Sequence, residues 1–363
     1  IDTLESLTGT GNAYTISVTD PSVSAAKLNA LDAKTTVSVD VSSTTVTGTL
    51  TAISTAFAAG GITGLGSEAI TVDSGTVTVA QVNTLAALTT GTLTATVSDG
   101  DMATLAGITE SGNALSVTVT DTSVAADALN TLNSRTTTAV NVDAATTLTG
   151  SYADLNTAYN ANSAGSITGL GNEAITASDN TVTVAQANVL DAYTTGVVTA
   201  TIGDNDVATL ETLAGTGNAY TISVTDATVS AEKLNELDAK TTVAVAVTST
   251  AVTGTAAAIT SAYGSSGITG LGNEAVTASG SLTVAQVNSL AALTTGTLTA
   301  TLSDGDTATL AGITEAGNAL SVTVTDTTVA ASDLATLDAG TTATVNVTSS
   351  TLTGTNAEQI AAY

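Results

Sequence analysis

The stretch GNALSVTVTDTSVAADALNTLNSRTT, Gly112–Thr137, decides the fold class. Leu115, Val117 and Val119 alternate with Ser116, Thr118 and Thr120, a period of two that marks a strand with one buried face. Asp121 ends the strand and, with Thr122 and Ser123, is placed to cap a helix that follows. Val124, Ala125, Ala128, Leu129 and Leu132 fall at helical spacing. The polar, β-branched run from Asn133 to Thr137 then stops the helix and opens the next strand.

This strand, acidic turn and short helix recur along the chain. GNAYTISVTD stands at Gly11–Asp20 and again at Gly217–Asp226, and GNALSVTVTD at Gly112–Asp121 and Gly317–Asp326. ITGLG begins at Ile62, Ile167 and Ile268, and TVAQ at Thr78, Thr183 and Thr283. These markers divide the chain into blocks near 11–111, 112–216, 217–316 and a partial 317–363. Within the blocks a helix anchor returns about every 25 residues: Leu28, Ile53, Val82, Leu105, Leu129, Leu155, Ala187, Leu210, Leu234, Ile259, Val287, Leu310, Leu334 and Ile360. A helix this short does not persist alone, so each unit needs neighbours to cover its apolar face. The expectation is an α/β protein: one continuous right-handed strand–helix solenoid over residues 1–363, with about 14 coils and parallel sheets. At about 4.8 Å per coil it would be roughly 65–70 Å long.

Composition narrows the function. Aromatic residues are only 2% of the chain, so the core must be built from Val, Leu, Ile and Ala in thin layers. Thr accounts for 80 of 363 residues, which suits strands with a polar, β-branched outer face. Cys and His are absent, which removes disulfides, thiolate metal sites and imidazole catalysis. A net charge of −27 argues against nucleic acid and anionic membranes as partners, and no apolar run is long enough for membrane insertion. Ile1–Gly11 matches Val207–Gly217, and the closing TLTGTNAEQIAAY matches Thr147–Tyr159, so both ends read as interior sequence and a segment of a longer array is expected.

Four features are candidate sites. Asp recurs where strand gives way to turn, and three turns carry two: Asp99 with Asp101, Asp204 with Asp206, and Asp304 with Asp306. Hard oxygen ligands in turns suit calcium, which makes these six the candidate metal ligands and calcium the one candidate cofactor. The same residues also read as turn formers and helix caps. Thr76/Thr78, Thr94/Thr96, Thr118/Thr120 and Thr323/Thr325 would project outward as rows, a flat ladder that resembles the ice- or crystal-binding surface of β-solenoid ice-binding proteins. Asn29, Asn83, Asn130, Asn156, Asn188, Asn235 and Asn288 follow helix anchors and read as hydrogen-bonding positions of the helices. The Gly-rich runs Ala58–Ser67, Ala161–Asn172 and Gly264–Asn273 lack a GK[ST] ending and lead into strands, so they read as loops needing positive φ, not as phosphate cradles. For catalysis nothing singular gathers: every attractive acid recurs between units, and Arg135, Phe57 and Met102 form no constellation.

The phrases SVTVTDTSVAADALNTLN, TVAQVNTLAALTTGTLTAT and LNALDAKTTV resemble repeats of giant, acidic, Thr-rich cell-surface proteins of marine cyanobacteria, some of them associated with swimming motility. The resemblance spans the whole chain and lies in composition and phrasing; it carries no functional residue. It implies a secreted, extracellular structural or adhesive protein. The sequence reading is therefore a structural repeat segment of a large surface or filament-forming protein, without catalysis, that partners with itself by end-to-end or lateral stacking. The other reading is an adhesin module binding calcium, glycan or ice.

Overall fold

The structure is a computed structural model that describes residues 1–362. Among the described residues it is α/β: short strands alternate with fourteen α-helices, and the strands pair in parallel. Each of the fourteen anchors read from the sequence falls in a different helix. Thirteen of them are buried, and Ile360, in the helix Asn356–Ala361, is 77% exposed. The chain forms two compact units, one of Ile1–Ser178 with Ala192–Gly196, the other of Asp179–Asp191 with the residues from Val197 on.

In the first unit the strand Ile16–Val18 is followed by a second strand, Ser22–Ser24, before the helix Ala25–Asp32 begins. The stretch after Gly112 does the same, with Ala114–Thr118, Ser123–Ala125 and the helix Ala126–Arg135. The second strand takes Ser123 from the expected cap and Val124 and Ala125 from the expected helix, which begins only at Ala126. Leu93–Thr96, by contrast, leads to Met102–Leu105 with no strand between them.

The strands pair between neighbouring repeats, at steps from 20 residues (Thr94 beside Ala114) to 27 (Val140 beside Ile167). In-register pairing stacks like on like. Val23, Val46, Ile70 and Leu93 form one buried column, because the inward position of each strand meets the inward position of the next. The second unit repeats this with Val229, Val252, Val276 and Leu298. Burying each such side chain contributes about 2 kcal/mol, and the columns are continuous only because the repeats are.

The Gly-rich runs take the backbone form expected. Gly64 sits at φ 86°, and a Cβ there would lie 2.1 Å from the Val41 carbonyl oxygen. These runs also contain strands that their composition hides: Ile62–Thr63, Ile167–Thr168 and Ile268–Thr269. Among the described residues no helix is long and apolar enough to cross a membrane.

Candidate functional site

The acidic turns are built into helix starts. Asp101, Asp206 and Asp306 accept the backbone N–H of Thr104, Thr209 and Thr309 at 3.0, 2.9 and 2.9 Å, capping the helices that follow them. Their partners face other helices: Asp99, Asp204 and Asp304 each accept, at 2.7 Å, the N–H of Val79, Val184 and Val284, about 20 residues earlier. Each pair thus divides its carboxylates between two helix N-termini, where a negative charge meets unsatisfied N–H groups and the positive end of the helix dipole. The hydrogen bonds from Thr104, Thr209 and Thr309 hold the Asp101, Asp206 and Asp306 carboxyls below the usual aspartate range. Among the described residues no three or more Asp or Glu side chains gather in a group that could hold a metal ion.

Asp121 corrects the expectation that it caps the helix after it. Its Oδ2 accepts the Met102 N–H at 2.8 Å, and Ala125, which opens the helix Ala126–Arg135, makes no side-chain cap. Asp226 and Asp326 treat Val207 and Thr307 alike, both at 2.8 Å. The acid therefore ties one repeat to the one before it.

The asparagines are internal hydrogen bonders between helices. Asn29, Asn130 and Asn235 donate to the carbonyls of Ala52, Asp154 and Ala258 at 2.9–3.0 Å. Asn83, Asn188 and Asn288 donate to Gly107, Thr212 and Gly312 and also accept the N–H of Thr109, Ala214 and Thr314. The outward threonines are exposed, but their rows break: Thr71 stands beside Thr94, which stands beside Ala114, and Thr277 beside Thr299 beside Ala319. Thr78 leaves its row altogether, since its hydroxyl caps the helix Val79–Ala86 in a capping box with Gln81.

Sequence reasoning missed three buried glutamates. Glu68, Glu173 and Glu274 are 1–2% exposed. Each lies six residues after the first residue of an ITGLG marker, which was the available signal. One oxygen of Glu173 accepts the N–H groups of Gly171 and Asn172 at 2.8 and 3.1 Å, while the other receives the Tyr159 hydroxyl. Glu274 gathers all three donors on one oxygen, the N–H groups of Gly272 and Asn273 and, at 2.9 Å, the Tyr263 hydroxyl, which leaves its Oε1 buried without a partner; one oxygen of Glu68 accepts the N–H groups of Gly66 and Ser67. Phe57 stands where Tyr159 and Tyr263 stand, so Glu68 has no phenol there. Burial, with the neighbouring carboxylate second, keeps the Tyr159 and Tyr263 phenols protonated well beyond the ordinary range. Tyr159 also stacks on Tyr193, ring centres 4.6 Å apart.

The backbone carbonyl of each glutamate is equally committed. Thr89, Thr194 and Thr294 donate their hydroxyls to it at 2.5, 2.6 and 2.7 Å. A Cβ at Gly91, Gly196 or Gly296 would sit 2.2–2.4 Å from the same oxygen, so glycine alone lets the chain pass. A second threonine device closes the strands: the Thr136 hydroxyl accepts the Leu115 N–H at 2.9 Å and donates to the Leu115 carbonyl at 2.8 Å. Thr35, Thr241 and Thr341 bond Tyr14, Tyr220 and Leu320 in the same way.

The chemistry this permits is anchoring. A carboxylate buried against two backbone donors has no open face for substrate, and each threonine hydroxyl is spent on backbone. No family model, curated protein or solved structure matches the chain.

Proposed function

We propose that the chain is a structural repeat segment of a large extracellular surface or filament-forming protein, and that its repeats continue as a right-handed strand–helix solenoid of about fourteen coils. The observation that carries the reading is the recurrence of one set of bonds at equivalent positions. The Asp-to-helix tie, the Thr-to-strand tie and the Glu-to-loop tie each return from block to block, joining one repeat to the next or bracing its loop. Residues that serve a reaction are singular; residues that serve stacking are repeated. The net charge of −27 keeps such a body soluble, and the phrasing shared with giant cyanobacterial surface proteins points to the cell exterior.

In this reading self-association uses strand edges. Ile16–Val18 and Val345–Val347 each lie at the end of a sheet, with one side of the backbone unpaired among the described residues. Val347 is 45% exposed. An open parallel edge is a template for another strand. The test is sedimentation of the 35.0 kDa chain across a concentration series. Assembly that grows with concentration and is lost in Val347→Pro, which removes an N–H on the side away from the paired strand, supports the reading. A strict monomer at millimolar concentration counts against self-stacking.

A further inference from the structure

The five basic residues of the chain serve one kind of seam, where a short helical turn meets the helix of the following repeat. Lys34 donates to the carbonyls of Glu5 and Leu7 at 2.6 and 2.7 Å, Arg135 to that of Thr109 at 2.7 Å, and Lys240 to that of Leu213 at 2.5 Å. These three occupy equivalent positions, the last residue before the paired threonines that open the next strand. Lys27 and Lys233 sit seven residues earlier and pair with acids of the same turns, Lys27 with Asp2 and Glu5, Lys233 with Glu211. A cation on an aliphatic stem thus covers the seam and satisfies its carbonyls three times over.

The fourth seam has no such residue. Gly340 replaces the basic residue, and Asp333 replaces Lys27 and Lys233. The turn itself is kept: Ile313-Thr314-Glu315 repeats Ile108-Thr109-Glu110, the turn on which Arg135 rests. Where the side chain would lie there is a cavity of about 490 Å³, lined by Ile313, Thr314, Glu315, Asp333, Leu337 and Gly340 among others. Ile108 and Leu213 are 2% exposed beneath their basic covers, whereas Ile313 is only half-buried, as is Leu7 in the first described turn of the chain. Among the described residues no donor takes the Thr314 carbonyl that corresponds to the one Arg135 bonds.

We propose that this seam is a docking slot for an arginine side chain of a partner polypeptide, which takes the place that Arg135 takes within the chain. The apolar floor of Ile313 and Leu337 accepts the stem. The Thr314 carbonyl accepts a guanidinium N–H, and Glu315 and Asp333 on the lining supply opposite charge. Arginine is favoured over a free metal ion because the slot is mostly apolar, and over a neutral side chain because its lining carries two acids and an unmet carbonyl.

The test is a methyl NMR titration of the full chain with N-acetyl-arginine N-methylamide, with the neutral N-acetyl-norleucine N-methylamide as control. Saturable shifts at Ile313 and Leu337, with the control at least tenfold weaker, are expected. Gly340→Arg fills the slot in cis and should abolish them. That variant is sterically open, since a Cβ at Gly340 meets nothing within 4 Å. Arg135→Gly should open a second slot and add shifts at Ile108 and Leu132. Equal response to the neutral control, shifts surviving in Gly340→Arg, or diffuse shifts at acidic turns without saturation at Ile313 would each overturn the proposal.

Discussion

Replacing Glu173 by alanine removes the acceptor for the N–H groups of Gly171 and Asn172 and the partner of the Tyr159 hydroxyl. Each buried polar group left without a partner costs about 1–3 kcal/mol. Three such groups, with some relief from water entering the vacated space, give roughly 3–5 kcal/mol. Glu173→Gln keeps an acceptor oxygen and loses mainly the charge assistance, so about half that cost is expected. Because repeat arrays open regionally, amide exchange is the assay of choice, with urea unfolding as its companion. The Gly171 and Asn172 amides should exchange at least about a hundredfold faster in Glu173→Ala, since each 1.4 kcal/mol is tenfold. The first repeat supplies the converse: Phe57→Tyr offers Glu68 the phenol its counterparts have and should stabilise by about 1 kcal/mol. If Glu173→Ala shifts stability by less than about 1 kcal/mol and leaves exchange at Gly171 and Asn172 unchanged, the glutamates do not brace these loops and the reasoning fails.

Other expectations follow from the same bonds. Thr136→Val keeps the side chain's shape but strands the Leu115 N–H and carbonyl, at a cost of about 2 kcal/mol in urea unfolding; Thr136→Ser should recover most of it. Glu232 is pulled down to about 2, chiefly by the Thr255 N–H and then by the Ser230 hydroxyl. Its folded value lies below its unfolded one, so its contribution is whole above about pH 4.5 and is lost as pH falls towards 2. Asp101, Asp206 and Asp306 are lowered in the same direction and add to the loss below their ordinary value near 3.8. The melting temperature should therefore be level from pH 7 to 5 and decline below 4, with a shallower decline in Glu232→Gln. Since the six turn aspartates serve as helix caps, chelation with EGTA should leave the melt unchanged, whereas Asp101→Ala should cost about 1 kcal/mol. A fall in melting temperature with EGTA, restored by calcium, would assign them to metal instead.

The periodic part of this fold was legible because it rests on apolar spacing. Fourteen anchors chosen by pattern each fell in a separate helix. What escaped depends on partners distant in sequence. A three-residue strand such as Ser123–Ala125 is too short to show alternation and looks like a cap. Asp121 reaches back 19 residues to Met102, so its role appears only once repeats are stacked. Glutamate just after a Gly-rich run reads as a solvated charge; only the adjacent N–H groups of Gly171 and Asn172 turn it inward. The basic residues lie scattered at 27, 34, 135, 233 and 240 until the repeats are aligned, and then the gap at Gly340 becomes visible.

The central claim is a single stacking axis, and the chain's lack of cysteine makes a direct test simple. Ser17, Thr118, Ser223 and Thr323 are exposed and equivalent, one in each block and four helix anchors apart. Cysteine pairs spin-labelled at Ser17 with Thr118, and at Ser223 with Thr323, can be measured by electron–electron double resonance. Each pair spans four coils, so at about 4.8 Å per coil the account predicts the same distance for both, near 19 Å. A clear difference between the two pairs, or a separation well beyond the predicted one in either, would contradict it.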